Sequence, residues 1–133
     1  MVFLLGSKPA VATASEQAKP GAIRPAKTMI THVDPAAAQT LIDQKKALVL
    51  DVRTPKEYAA GHIDGAKNID FNAADFEKNL AQLDKSRTYL VHCASGGRST
   101  KSLEVFKKLA FTAVVHLDGG FQAWEKAGKP VKK

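Results

Sequence analysis

Five short apolar runs recur from residue 29 onward, separated by segments with helical spacing. Met29-Ile30-Thr31-His32-Val33 predicts a first strand. Asp34 and Pro35 then supply an N-cap and the proline of a first helical turn, and Ala38, Leu41 and Ile42 form one apolar face. Ala47-Leu48-Val49-Leu50-Asp51-Val52 is almost wholly apolar at strand length, the pattern of a parallel strand covered on both faces. Thr54-Pro55-Lys56-Glu57 has capping-box character and starts a short helix that Gly61 ends. Ala66 to Asp70 predicts a third strand, and Phe76, Leu80 and Leu83 predict a helix over 72–83. Tyr89-Leu90-Val91-His92 is a fourth strand, followed by a helix over 99–109 with Leu103, Val105, Phe106 and Leu109 as its apolar positions. Ala113 to Leu117 is a fifth strand, Asp118-Gly119-Gly120 a turn, and Phe121 to Lys126 a last short helix containing Trp124.

Strands and helices alternating at these intervals specify an α/β fold, with a central parallel sheet of about five strands flanked by helices on both faces. In such sheets ligands bind beyond the carboxyl ends of the strands. Residues 1–27 break the pattern. They are rich in Ala, Pro, Ser, Gly and Lys without hydrophobic periodicity, and read as a disordered leader or linker before a folded domain over 28–133. Met1-Val2-Phe3-Leu4-Leu5 and Ala12-Thr13-Ala14 resemble parts of an export signal, although Lys8 interrupts the apolar stretch. A periplasmic or exported location follows if this segment is a signal remnant, and a cytoplasmic one otherwise.

The 133 residues suit one domain, and a net charge of +7 gives a basic surface that attracts small anions. No dense cluster of Lys and Arg is interleaved with aromatics, so nucleic-acid binding is not expected. No stretch approaches the length of a membrane span. Cys93 is the only cysteine, which excludes an internal disulfide and a thiolate zinc site. No two of the four histidines stand at local ligand spacing, so no metal site is expected.

The candidate chemistry is concentrated in Cys93-Ala94-Ser95-Gly96-Gly97-Arg98, which connects the fourth strand to the following helix. The thiol lies at the carboxyl end of a strand. Two glycines allow a tight turn that exposes backbone N–H groups, and the helix adds the free N–H groups and positive dipole of its N-terminus. Ala94, Ser95, Gly96, Gly97, Arg98 and Ser99 therefore form a candidate anion cradle, with Arg98 a fixed cation and Cys93 a nucleophile whose pKa the cradle lowers.

This loop resembles the active-site loop of the rhodanese family of sulfurtransferases. Leu50-Asp51-Val52-Arg53, Glu57-Tyr58, Gly61-His62-Ile63 and Gly65-Ala66 resemble the family's first hallmark. Leu117-Asp118-Gly119-Gly120-Phe121, with Trp124 and Gly128, resembles its closing one. The match runs in order from about Thr28 to Val131. The resemblance implies a thiolate at Cys93 that takes a sulfane sulfur from a donor such as thiosulfate, forms a persulfide, and passes the sulfur to cyanide or a thiol. It implies no metal or organic cofactor. Related dual-specificity phosphatases use Cys-x5-Arg, whereas this chain has Cys-x4-Arg, a tighter loop that suits sulfur over a phosphoryl group. The competing readings are a small Cys-dependent phosphatase or arsenate reductase, and a non-catalytic rhodanese-like binding module. The loop has no lysine, and Ser95 brings a hydroxyl instead, so thiosulfate, polysulfide, mercaptopyruvate and a partner protein's persulfide all stay open as donors.

Around the loop, Asp51 and Arg53 are expected to support the site from the end of the second strand, with Arg53 pairing Glu57. His62 reads as a packed or capping residue. His92 adjoins Cys93 on a strand, so its side chain points to the opposite face and it is a poor candidate for the thiol's base. Phe121 and Trp124 are expected in the core, and Asp118 in the service of the Gly-Gly turn.

Overall fold

The computed structural model describes residues 27–133. The leader expected over 1–27, including any signal remnant, lies outside the described residues apart from Lys27. Five strands form one parallel sheet: β1 (Met29–Val33), β2 (Leu48–Asp51), β3 (Lys67–Asn68), β4 (Thr88–His92) and β5 (Ala113–Leu117), in the order β1-β5-β4-β2-β3. The helices are α1 (Pro35–Asp43), α2 (Pro55–Ala60), α3 (Phe76–Ala81), α4 (Gly97–Lys108) and α5 (Gly120–Lys126). Among the described residues no helix is long and apolar enough to cross a membrane.

The caps form as the sequence predicts. The Asp34 side chain accepts the Ala37 N–H, and Thr54 and Glu57 close a reciprocal capping box at the start of α2. Two elements are shorter than predicted. The third strand keeps only Lys67 and Asn68, which pair with Leu50 and Asp51 at the sheet edge. The helix predicted over 72–83 begins only at Phe76, because the Asp70 carboxylate accepts the Asn72 N–H and the Asp70 carbonyl accepts that of Ala73, holding the chain in a turn.

Strand alternation divides the core into two layers. Tyr89, Val91 and Cys93 face one side, packed with Leu50, Val52, Leu80, Leu103 and Phe106, under α3 and α4. Leu90, Val49, Val115 and Leu117 face the other, against Ala38, Phe121 and Trp124 of α1 and α5. Phe121 and Trp124 are core residues as expected. Cys93 thus sits just past β4 on the α4 side, while Asp51 and His92 project to the α5 side.

Candidate active site

The Cys93 sulfur occupies a cup made by its own loop. Gly96 takes φ +117°, where a side chain would be strained, and so aims its N–H at Sγ, 3.1 Å away. The Ser99 hydroxyl donates to the same sulfur at 3.4 Å. Burial pushes the thiol's pKa up, but the Ser99 hydroxyl and the N–H groups of Ser99, Gly96 and Ser95 outweigh it and bring the thiol below its ordinary value. The two glycines differ in role. Gly97 has no left-handed φ and simply begins α4, whose first N–H groups have no partner within the helix. Ala94 is half-buried and Ser95 is exposed at the loop's apex.

The start of α5 closes the cup from behind. The N–H groups of Phe121 and Gln122 donate to the carbonyls of Cys93 and Ala94 at 2.8 and 2.9 Å. Gly120 permits this approach. It has φ +62°, and a Cβ there would lie 2.6 Å from the Cys93 oxygen and 2.7 Å from that of Ala94. Gly120→Ala is therefore expected to cost about 2–4 kcal/mol, as backbone strain and overpacking combine. Urea denaturation measures the loss, and faster alkylation of Cys93 would report the loosened loop.

Arg98 does not stand free as a substrate-facing cation. Its guanidinium holds Glu57 of α2 bidentately, at 2.8 and 3.0 Å. Glu57 also accepts the N–H and hydroxyl of Thr54, so one carboxylate caps α2 and ties it to α4. The hydrogen bond from Arg98 lowers the Glu57 pKa from 4.5 to about 2 despite partial burial. This pair should stabilise the fold fully above pH 4.5, with the contribution fading as pH falls toward 2. Denaturation midpoints of wild type and Glu57→Gln are expected to converge across that window, and a constant gap would show that the pair is not its source.

The pairing expected between Arg53 and Glu57 is replaced by a shorter one. Arg53 folds back on Asp51, with Nη2 2.6 Å from Oδ2 and Nε 2.9 Å from Oδ1, and Nη2 also donates to the Gly61 carbonyl at 2.7 Å. Residues 51 and 53 share a face of an extended chain, whereas Glu57 is already committed to Arg98. The pair lies on the far face of the sheet from the thiol, and the Arg53 guanidinium sits 4.2 Å from the Phe121 ring centre. Asp51 and Arg53 therefore brace α5, which in turn braces the loop. His92, buried on that same face, donates from Nδ1 to the Cys93 carbonyl, not to the sulfur, and burial lowers its pKa. His62 stacks on Tyr58 and bonds the Tyr58 carbonyl, the packed role expected of it.

Asp118 departs from expectation. Its Oδ1 lies 2.8 Å from Nδ1 of His116 and 2.9 Å from Nδ1 of His32, so it links two histidines rather than serving the turn. Parallel pairing of β1 with β5 sets His32 directly opposite His116. Sequence spacing, which pointed away from any such cluster, could not show this juxtaposition of three donor atoms within 4.8 Å of one another. Their shared hydrogen bonds to Asp118 account for the arrangement. The available signal was positional: each histidine is the fourth residue of its predicted strand.

A cleft of about 290 Å³ opens beside Ala94, between Arg53, Glu57 and Gly61 on one wall and Phe121 and Gln122 on the other. The family model of the rhodanese-like domain matches residues 34–127, from the N-cap of α1 to the end of α5. The chain belongs to the rhodanese-like domain family. Among its relatives, the thiosulfate sulfurtransferase GlpE of Pseudomonas putida is 38% identical over 94 residues, which are 70% of this chain and 83% of that protein. The probable adenylyltransferase/sulfurtransferase MoeZ of Mycobacterium tuberculosis is 40% identical over 86 residues, 65% of this chain, but the chain spans only 22% of that relative's length. The crystal structure of a rhodanese-related protein from Thermoplasma volcanium superposes with a TM-score of 0.69 at 31% identity, covering 77% of this chain and 97% of that one. The rhodanese fold expected from the sequence is thus the fold observed.

Proposed function

We propose that this protein is a sulfurtransferase that moves a sulfane sulfur from an anionic donor of the thiosulfate type to a thiophilic acceptor through a persulfide on Cys93. The observation that carries this reading is the cup itself: one thiol, its pKa lowered, with the Gly96 N–H and the Ser99 hydroxyl aimed at its sulfur. The sulfurtransferase names of its relatives support the same reading.

In the first half-reaction the Cys93 thiolate attacks the outer sulfur of the donor. A new S–S bond forms, the donor's S–S bond breaks, and sulfite leaves with the electron pair. The free N–H groups of the loop and of the first turn of α4 stabilise the persulfide anion that results. In the second half-reaction cyanide or a thiolate attacks the outer persulfide sulfur, and the electron pair of the breaking S–S bond returns to Cys93. Ping-pong kinetics follow from two such steps. Ala94, Ser95, Gly96, Gly97 and Ser99 form the anion cradle. Arg98, held by Glu57, contributes a fixed charge at its rim rather than a ligand that swings onto the donor.

Mass spectrometry after thiosulfate treatment tests the proposal. One added sulfur, located on Cys93 and discharged by cyanide with release of thiocyanate, is the expected result. An unmodified Cys93 after treatment with thiosulfate, polysulfide and mercaptopyruvate would overturn it. The Cys-x4-Arg spacing also leads us to expect no phosphate release from an aryl phosphate.

A further inference from the structure

Behind the Cys93 sulfur, on the side away from the loop, runs a line of hydrogen bonds that the two half-reactions above do not use. Ser99 Oγ, 3.4 Å from the sulfur, is also 2.7 Å from Nε2 of His116. His116 Nδ1 is 2.8 Å from Asp118, and Asp118 is 2.9 Å from His32. Exposure rises along this line. Cys93, Ser99 and His116 are 1%, 0% and 2% exposed, whereas the side chains of Asp118 and His32 are 58% and 50% exposed. A thiol this deeply set has little contact with water through which to lose its proton. The line gives its proton a second route to solvent.

We propose that Asp118 and His116, acting through the Ser99 hydroxyl, form a proton relay that ionises Cys93. The inference rests on Cys93 being the nucleophile. The Cys93 S–H bond breaks and its electron pair stays on sulfur. The proton passes to Ser99 Oγ as the hydroxyl's own proton passes to His116 Nε2. His116 becomes an imidazolium, and the Asp118 carboxylate offsets its charge. The sum is one thiol and one neutral imidazole giving one thiolate and one imidazolium, with no other reactant. Ser99 has a single hydroxyl proton and three acceptors within reach: Sγ, His116 Nε2 and the Gly96 carbonyl at 3.2 Å. With His116 neutral and its Nδ1–H on Asp118, Nε2 is an acceptor and competes with sulfur for that proton. With His116 protonated, Nε2–H donates to Oγ, and the hydroxyl turns to the thiolate. The protonation of His116 and the ionisation of Cys93 therefore reinforce each other.

The surroundings of His116 suit this role. His32 of β1 meets its ring edge-on at 5.2 Å, Ser99 faces it from α4, and Asp118 from the end of β5. His92 of β4, on the other face of the sheet, would oppose charge on His116 only if itself protonated, which its burial disfavours. Hydrogen bonds from His32 and His116 hold the Asp118 carboxyl below its ordinary pKa, so it is an anion wherever the relay works. His116 and Asp118 are positioning residues, because they reach the sulfur only through Ser99.

The test is the pH dependence of Cys93 alkylation by iodoacetamide in wild type, His116→Gln and Asp118→Asn. Glutamine can still hydrogen-bond Ser99 through its amide, but it can neither take the proton nor offset the thiolate's charge. We expect its midpoint to rise by about one unit, a roughly tenfold loss of thiolate below the midpoint. Asp118→Asn should shift it in the same direction by less. A role confined to packing would leave both midpoints unmoved, and that result overturns the relay. If His116→Gln does not fold, Asp118→Asn, at an exposed position, decides alone. The reciprocal measurement is the NMR titration of the His116 ring, which should change when Cys93 is alkylated. These readouts need no sulfur transfer. Midpoints that move in a protein whose Cys93 takes up no sulfur would refute the transfer reading and leave the relay standing, and the opposite pairing would refute the relay alone.

Discussion

Cys93→Ala is expected to abolish thiocyanate formation from thiosulfate and cyanide, by at least about 10³-fold, because the proposed covalent carrier of both half-reactions is gone. The chain has no second thiol that could substitute. The substitution is a clean test because it leaves the cup's scaffold in place. The contacts of α5 on the loop run to the backbone carbonyls of Cys93 and Ala94, which alanine retains. Thermal melting should thus stay close to wild type while turnover disappears. Full retention of thiocyanate formation by the variant would show that the activity arises elsewhere.

Arg53→Ala is expected to destabilise the protein by about 3–5 kcal/mol, since it strands a buried carboxylate with no compensating charge. Asp51 is 0% exposed and Arg53 5%, so water cannot replace the lost guanidinium. The change also leaves the Gly61 carbonyl without its donor and the Phe121 ring without its cation. Removing both charges in Asp51→Asn/Arg53→Met should restore much of the loss. Chemical denaturation of the single and double variants measures both effects, and equal stabilities would refute the buried pair as the brace of α5.

Much of this architecture is legible in the residue pattern because the decisive signals are local. Apolar runs such as Tyr89 to His92 are long enough to mark strands, and Asp34-Pro35 and Thr54 to Glu57 mark helix starts through contacts made within a few residues. The loop from Cys93 to Ser99 is contiguous, so its chemistry is visible in one stretch. What stays hidden depends on sheet order. Arg98 meets Glu57 only once β4 lies beside β2, and His32 reaches His116 and Asp118 only once β1 pairs with β5. The ion pair of Asp51 and Arg53 is an intermediate case. Alternation places both on one face, yet Glu57 offered an equally charged partner in sequence, and its capture by Arg98 is a tertiary fact. The late start of the third helix has a local cause, the Asp70 turn, which overrides weak helical propensity.

The docking of α5 on the Cys93 loop also has a consequence for biosynthesis. The residues that seat the nucleophile are made after it, and β1 must wait for the later β5 before its paired edge is covered. A growing polypeptide that has passed Cys93 but not Gln122 bears the thiol without its sealing helix. The proposed sulfur chemistry thus waits until α5 has been made, and a protease cut between α4 and α5 would silence it without touching the nucleophile.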